Sequence, residues 1–429
     1  MFRRYPRPFI VYRNRHGRRC YANAAFSYNS KVRAFPFAFS KDDAITHVAP
    51  AASSLTVFKG FISSVCAKYF PASGFKPIQP DRIQAIYYPA WIVDAEVEAK
   101  VWLSPQDSES SQQHNFTVDF TNSYVPGKLQ QGCPFDLLGR LAFRDENMSP
   151  EQAVPFSQSL TKQHGSDILC LPYTTSPFSL LDKARNLSFK QATIHDGVRF
   201  DPSSVKPNLF AAYPVLMPLY IAQYETVAPF RNTFVIQAHS KPGRFFMQTI
   251  SDDPEKNIMA KLEEHIGYDY LFLGGNPSSF VNPRVLSPLY DEVASSTLES
   301  WLNDQITARG ATEMLSSGKA IDMEDPRVRQ WIGDELRWVR RWIESGEDLL
   351  RIKDTVKKIS SVGVDLTETS RRAGPGESPD VQKVVSLAAA GLEEFSKAQR
   401  SRQEAAEKAR ATFTPVWWRE WEDSQKLKS

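Results

Sequence analysis

The sequence lacks the short motifs by which many enzymes are identified. It contains no G-x-x-x-x-G-K phosphate loop, no G-x-G-x-x-G dinucleotide signature, no H-E-x-x-H zinc motif and no G-x-S-x-G nucleophile elbow. Each motif places particular atoms where its chemistry needs them, so their absence argues against the familiar nucleotide-driven and hydrolytic reactions. We therefore expect a binding protein, with an enzyme of an unfamiliar type as the alternative.

Cysteines and long apolar runs are also scarce. The four cysteines, Cys20, Cys66, Cys133 and Cys170, form no C-x-x-C pair and are widely spaced. Since a structural zinc ion needs about four ligands at defined spacing, we predict no metal site, and no motif calls for a cofactor. The longest apolar stretch, residues 213–222, carries two prolines and is far shorter than the roughly 18 residues of a transmembrane helix. No transmembrane helix is predicted, and peripheral membrane contact stays open.

Acidic residues are absent from the first 41 positions, and residues 1–21 carry seven arginines. Arginine-rich, acid-free N-termini are typical of mitochondrial transit peptides, which respond to a matrix-negative potential. The sequence Arg19-Cys20-Tyr21-Ala22 resembles a matrix processing site, so we expect a transit peptide of residues 1–21 that is cleaved after Tyr21. The predicted location is the mitochondrial matrix or the matrix face of the inner membrane. A basic arm that binds nucleic acid is the alternative.

Net charge gives little support to a polyanion-binding protein. The whole chain carries a formal charge of +3, and much of this excess lies in the N-terminal segment. The mature chain would therefore be acidic or near neutral, which weakens a nucleic-acid hypothesis based on bulk charge.

The clearest strand covers residues 91–103. Apolar residues from Trp91 to Leu103 alternate with a row that contains Asp94, Glu96 and Glu98. This period of two predicts an antiparallel strand with one apolar and one charged face. The three carboxylates share a face that would suit a cation, but Lys100 continues the same row and favours a solvated surface.

A second strand segment echoes the first. Residues 218–225 (PLYIAQYE) match residues 89–96 (PAWIVDAE) in their pattern of proline, aromatic, isoleucine and glutamate. We predict an α+β fold with a mainly antiparallel β core of two related lobes, at 35–200 and 207–290. The two similar segments would then result from a duplication, and chance similarity is the alternative explanation. A helical C-terminal region, 325–429, follows, with helices expected from Asp325 and Pro379 and a linker near 360–379.

Tryptophans and arginines are concentrated in this C-terminal region. Helical spacing puts Trp331, Trp338 and Trp342 on one side of a helix that also carries Arg337 and Arg341. Such a stripe binds RNA or an anionic membrane surface when it is exposed, and packs on a core when it is buried. A second cluster, Trp417, Trp418 and Trp421, lies near the C-terminus and needs a covering surface, which is either the chain's own body or a partner.

Histidines are the remaining catalytic candidates. His195 is followed by an aspartate, and His239 follows a predicted strand. A catalytic role would pair the imidazole with an orienting carboxylate, whereas loop histidines with local hydrogen bonds are the commoner case.

One local resemblance to known proteins is present. Residues 87–95 (YYPAWIVDA) resemble the Tyr-x-Pro-Phe-Trp…Asp-Ala strand of a loosely defined group of uncharacterised bacterial proteins, in which zinc-ribbon cysteines often accompany the strand. This chain lacks such cysteines. The arginine-rich start and the tryptophan- and arginine-containing helices are similar to poorly characterised fungal mitochondrial proteins, a resemblance that implies no activity.

These observations favour a non-enzymatic mitochondrial factor that binds a protein or complex, in respiratory-complex or mitoribosome assembly. An enzyme acting on a small molecule in a cleft of a β lobe is the second hypothesis, and it requires His195 or His239 to face a pocket. Mitochondrial RNA binding is the third, and it requires one exposed arginine face.

Overall fold

The structure is a computed structural model that describes part of the chain. The described residues are 28–54, 58–103, 112–128, 138, 141–144, 148–195, 197–225, 230–241, 243–251, 281–286, 292–306, 321–372 and 379–427. The predicted transit peptide, residues 1–21, lies outside them.

The described chain is an α+β protein, as its sequence predicts. Its strands are β1 (Arg33–Ala34), β2 (Arg82–Leu103), β3 (Gln112–Pro126), β4 (Val154–Pro155), β5 (Lys162–Gln163), β6 (Ser166–Cys170), β7 (Thr193–His195), β8 (Val198–Phe200), β9 (Lys206–Glu225), β10 (Phe230–Gln237), β11 (Phe245–Ser251) and β12 (Pro283–Leu286). Its helices are α1 (Lys41–Ser54), α2 (Phe58–Tyr69), α3 (Ser179–Arg185), α4 (Phe189–Ala192), α5 (Glu292–Ile306), α6 (Gly333–Arg372), α7 (Pro379–Phe413) and α8 (Val416–Lys426).

Two long strands, β2 and β9, form the centre of the sheet, whose main order is β11-β10-β9-β2-β3-β12. They run antiparallel from the Arg82–Gln223 pair to the Glu98–Lys206 pair. Each continues into a hairpin on its outer side, with β3 next to β2 and β10 next to β9. The short pairs β1/β9 and β2/β6 are parallel, so the sheet is mainly antiparallel but mixed.

The two echoing segments occupy equivalent places in this sheet. Tyr88 pairs with Met217, and the segments 89–96 and 218–225 run in opposite directions from that pair. A local twofold arrangement therefore relates β2 with its hairpin to β9 with its hairpin. The regions predicted as separate lobes, 35–200 and 207–290, share one continuous sheet.

Two hydrophobic cores pack against the sheet, and alternate residues of β10 and β11 belong to different cores. One, on the β2–β3 side, includes Trp91, Val118 and Leu181, together with the first turns of α6. The other, on the β9–β10–β11 side, is covered by α1, whose first turn is capped by Ser40. The Ser40 backbone N–H donates in return to Asp43, which completes a capping box.

The C-terminal helices differ from the sequence expectation in two places. Helix α6 begins at Gly333 and not near Asp325, because residues 323–327 form turns and Val328 then pairs with Ala212 in a parallel bridge. It then continues to Arg372, so the linker predicted for 360–379 is wrong over most of its length. Gly363 lies inside the helix, where a single glycine is tolerated at a cost of about 1 kcal/mol. Residues 373–378 lie outside the described residues.

Candidate functional site

The acidic face of β2 is buried at Asp94 and Glu96, which corrects the expectation of a solvated sheet surface there, whereas Glu98 is half-buried and Lys100 is exposed. The side chains of Asp94, Glu96 and Asp119 are each 1% exposed or less. Strand pairing places Glu96 directly opposite Asp119 on β3. The α6–α7 hairpin covers this face, so charged groups lie between the sheet and the helices. We call this layer, which contains Asp94, Glu96, Asp119 and Arg410, the charged seam.

An ion pair between Glu96 and Arg410 is at the centre of the charged seam. The Arg410 Nη2 atom lies 2.6 Å from Glu96 Oε1 and 2.8 Å from Oε2. Asn208 donates a further hydrogen bond of 2.9 Å to Glu96. The Arg410 guanidinium also lies over the Trp342 ring, 3.9 Å from its centroid. A buried carboxylate is tolerated only with such partners, so this contact fixes α7 against β2.

Gly346, on α6, gives this ion pair its space. A Cβ atom at this position would overlap both the Arg410 guanidinium and the Glu96 carboxylate. A glycine inside a helix costs about 1 kcal/mol relative to alanine. The close approach of Arg410 explains why this position of α6 is a glycine, since a larger residue would displace the guanidinium.

Asp119 belongs to a second charged group that connects β12 to α6. Arg284 Nη2 lies 3.4 Å from Asp119 and 2.6 Å from Glu347, and Glu347 also pairs with Arg351 at 2.5 Å. Burial raises the pKa of Asp119 to about 7, with a further contribution from the negative charge of Glu96, while Arg284 opposes the shift. Asp119 therefore titrates near neutral pH.

Asp94 occupies the neighbouring position at a β-bulge. It accepts a hydrogen bond of 2.5 Å from the backbone N–H of Asn122, a residue with φ of 50°. Burial raises the pKa of Asp94, and the charges of Arg340 and Arg144 partly oppose the shift. No side-chain hydroxyl, thiol or imidazole contacts this carboxylate through a hydrogen bond recorded among the described residues, which gives it no obvious catalytic partner.

The C-terminal tryptophans pack on the chain's own body. Trp418 stacks on Trp421 with ring centroids 4.5 Å apart, and Trp417 meets Trp418 edge to face at 6.0 Å. The guanidinium of Arg327 lies 4.5 Å from the Trp421 ring, and that of Arg329 lies 5.5 Å from the Trp417 ring. These cation–π contacts attach α8 to the segment that precedes α6.

The predicted tryptophan stripe of α6 is divided between core and surface. Trp331 and Trp342 are buried in the core, whereas Trp338 is 51% exposed. Arg337 is exposed and paired with Asp334, and Arg341 is also exposed. With Arg327 and Arg329 engaged by tryptophan rings and by carboxylates, the described arginines do not form the single exposed face that the RNA hypothesis requires.

The two candidate histidines do not line the polar cavity beneath the α6–α7 hairpin. His195 is exposed on β7, and His239 contacts the ring of Phe35 at 5.8 Å. The cavity, of about 530 Å³, lies between the sheet and the hairpin. Its polar lining consists of Glu96, Glu98, Gln113, His114, Asn115, Thr117, Asn208, Lys353, Asp354, Lys357 and Arg410. The histidine that lines this cavity is His114, which the sequence did not single out. The enzyme hypothesis requires a histidine that faces a pocket, and neither His195 nor His239 faces this one.

Comparison with known proteins gives no relative: no family model, curated protein or solved structure matches this chain. Within the described ranges, no group of three or more histidine, cysteine or acidic side chains is arranged to hold a metal ion. A search of the same residues finds no helix that is long and apolar enough to cross a membrane. Function must therefore be argued from the geometry.

Proposed function

We propose that this chain is a non-enzymatic mitochondrial factor that binds a protein or protein complex through the outer half of its α6–α7 hairpin. The observation that carries the proposal is the contrast between the two ends of this hairpin. Its base is fixed to the sheet by the charged seam, while the described side chains beyond the base include large exposed apolar groups.

The hairpin is much longer than its contact with the core requires. At 1.5 Å per residue, the 40 residues of α6 span about 60 Å and the 35 residues of α7 about 50 Å. Among the described side chains of α6, those in the hydrophobic core are Leu336, Val339, Trp342 and Ile343, all in the first third of the helix, and Leu349 is buried just beyond them. An ion pair of 3.3 Å between Lys353 and Glu407 joins the two helices next to this base.

Apolar side chains on the outer part of α7 lack a covering surface in the described structure. Leu387 is 65% exposed and Phe395 is 50% exposed. Apolar groups on a rigid helix are the usual anchors by which helices bind a groove or another helix of a partner.

The charge pattern of the hairpin favours a protein partner. Helix α7 carries five acidic and six basic residues, so its polar surface has both signs. Helices that bind anionic membranes have a predominantly basic polar face, and RNA-binding surfaces are strongly positive. A mixed surface around an apolar stripe instead resembles the surface of helices that pair with other helices.

The arginine-rich N-terminus supports a mitochondrial location, in which the partner would be a respiratory complex or mitoribosome during its assembly. Import into isolated mitochondria tests this location. We expect uptake that depends on the membrane potential and a mature chain that begins at Ala22. Uptake without cleavage of the N-terminal segment, or no uptake, would contradict the proposed transit peptide and mitochondrial location.

Partner binding is tested by the size of the native complex in mitochondrial extract. The variant Leu387→Glu with Phe395→Glu should elute at monomer size while its melting temperature stays within a few degrees of wild type. The matched control is Ile62→Glu, a charge placed at an exposed apolar residue of α2, which should remain in the large complex. A double variant that stays in the complex, or a wild-type chain that is itself monomeric, would overturn the proposal.

A further inference from the structure

An apolar cavity of about 160 Å³ lies on the side of the β2–β3 hairpin opposite the charged seam. It is bordered by the apolar face of these strands and by helices α3 and α5, and it is partly open to solvent. Residues from all four elements line it, among them Ala95, Val118, Leu181 and Trp301. It shares no residue with the polar cavity under the hairpin.

Small side chains on β2 leave this space open. The lining row of β2 reads Val93, Ala95, Val97, Ala99 and Val101, so the strand supplies two alanines where the sheet meets the helices. Packed interiors contain few voids of this size, because the surrounding atoms lose their contacts with the missing volume. A cavity retained in an otherwise dense core suggests that the space is used.

One polar group faces the cavity. Ser123, on β3, lines it and is 1% exposed, and its hydroxyl oxygen has no hydrogen-bond partner among the described residues. A buried hydroxyl without a partner is unfavourable, since it has lost its bonds to water. The position of Ser123 next to the β-bulge, opposite Val93, directs this hydroxyl to one end of the apolar wall.

We propose that this cavity binds a small apolar molecule, of about one ring in size, that carries a single oxygen able to hydrogen-bond to Ser123. The volume sets the size, since apolar cavities of about 150 Å³ are known to hold a benzene molecule. The apolar walls select the body of the ligand, and Ser123 selects its oxygen. This site is independent of partner binding by the hairpin.

Phenol and benzene are the probes, used with the full chain and followed by ligand-observed NMR and thermal unfolding. Wild type should bind both. Ser123→Ala should lower the preference for phenol over benzene about five- to tenfold, because it removes one hydrogen bond. Ser64→Ala, at a buried serine outside this cavity, should leave that preference unchanged. An unchanged preference in Ser123→Ala would overturn the assignment of the oxygen.

Filling the cavity provides the second measurement. Ala99→Leu should fold with a melting temperature no lower than that of wild type and should bind neither probe. Ala95→Val is the milder variant, and it should weaken binding of both probes. The proposal is overturned if wild type binds neither probe, if a folded Ala99→Leu variant binds as wild type does, or if both variants fail to fold, since the last result would show that no free space exists.

Discussion

Arg410 and Glu96, 314 residues apart in the chain, form an ion pair in which the Glu96 side chain is 2% exposed and the Arg410 side chain is 16% exposed. It is the contact through which the last long helix is held on the central strand. Removing one partner of a buried pair is costly, because the other charge stays buried without compensation.

Arg410→Met should therefore lower the free energy of unfolding by about 3 kcal/mol. Adding Glu96→Gln to this variant should recover part of the loss, since the orphaned charge is then removed as well. Urea unfolding of the wild type, both single variants and the double variant gives the coupling energy. Strictly additive effects would contradict a direct pair.

Gly346→Ala should destabilise the protein, although alanine favours a helix by about 1 kcal/mol over glycine. The reason is the collision of the new methyl group with Arg410 and Glu96. Gly391→Ala is the matched control, because a Cβ atom at that position of α7 meets nothing within 4 Å. We expect thermal unfolding to show a lower melting temperature for the first variant and an equal or higher one for the second. A change of melting temperature in the same direction for both variants would contradict the close approach of Arg410 and Glu96 to Gly346.

The raised pKa of Asp119 predicts that the free energy of unfolding falls as the pH rises from about 4 to about 7. In the unfolded chain this carboxyl loses its proton near 3.8, whereas in the folded chain burial and Glu96 raise its pKa to about 7. The folded state binds more protons between these values, so the free energy of unfolding declines across the window. The groups that face Asp119 are Glu96, Glu347 and Arg284.

Asp119→Asn should remove this dependence. The variant should match wild type near pH 5 and exceed its unfolding free energy by about 2 kcal/mol at pH 8, where the wild-type carboxylate is charged. Urea unfolding from pH 5 to pH 8 measures the difference, and Asp423→Asn, at an exposed aspartate, serves as the control. If Asp119→Asn raises the unfolding free energy by the same amount at every pH, the raised pKa assigned to Asp119 is refuted.

Trp418→Ala should destabilise the protein by about 3–5 kcal/mol, because the ring is 1% exposed and packs on Trp417 and Trp421. Trp338→Ala, at a half-exposed ring on α6, should cost less than about 1 kcal/mol. Chemical unfolding compares the two. If removal of Trp418 is harmless, the terminal helix is not held on the body in the way the contacts indicate, and a role in partner binding would return for these tryptophans.

Local sequence patterns predict part of the sheet and the start of α7 at Pro379. The alternation from Trp91 to Leu103 predicts the second half of β2. The true start of β2 at Arg82 was missed, because residues 85–92 are buried on both faces and lose the period of two. Helix α6 continues past Gly363, because a single glycine is a weaker helix breaker than the Gly374-Pro375 pair that follows it.

The charged seam was not predicted because its partners come from distant parts of the chain. Nothing near Glu96 in the sequence indicates that Arg410 will cover it, and the row of acids alone is typical of an exposed strand face. Gly346 was the available signal, since a glycine inside a long helical pattern often marks a close approach. Likewise, helical spacing alone could not separate the buried Trp342 from the exposed Trp338.

Site-specific photocrosslinking at Phe395 tests the central claim most directly. With a photoreactive phenylalanine analogue at this position, irradiation of intact mitochondria should give one discrete adduct with a protein of defined mass. The same analogue at Ile62, an equally exposed apolar position on α2, should give none. Adducts of equal yield from both positions, or no adduct from Phe395, would contradict a partner-binding role for the outer hairpin.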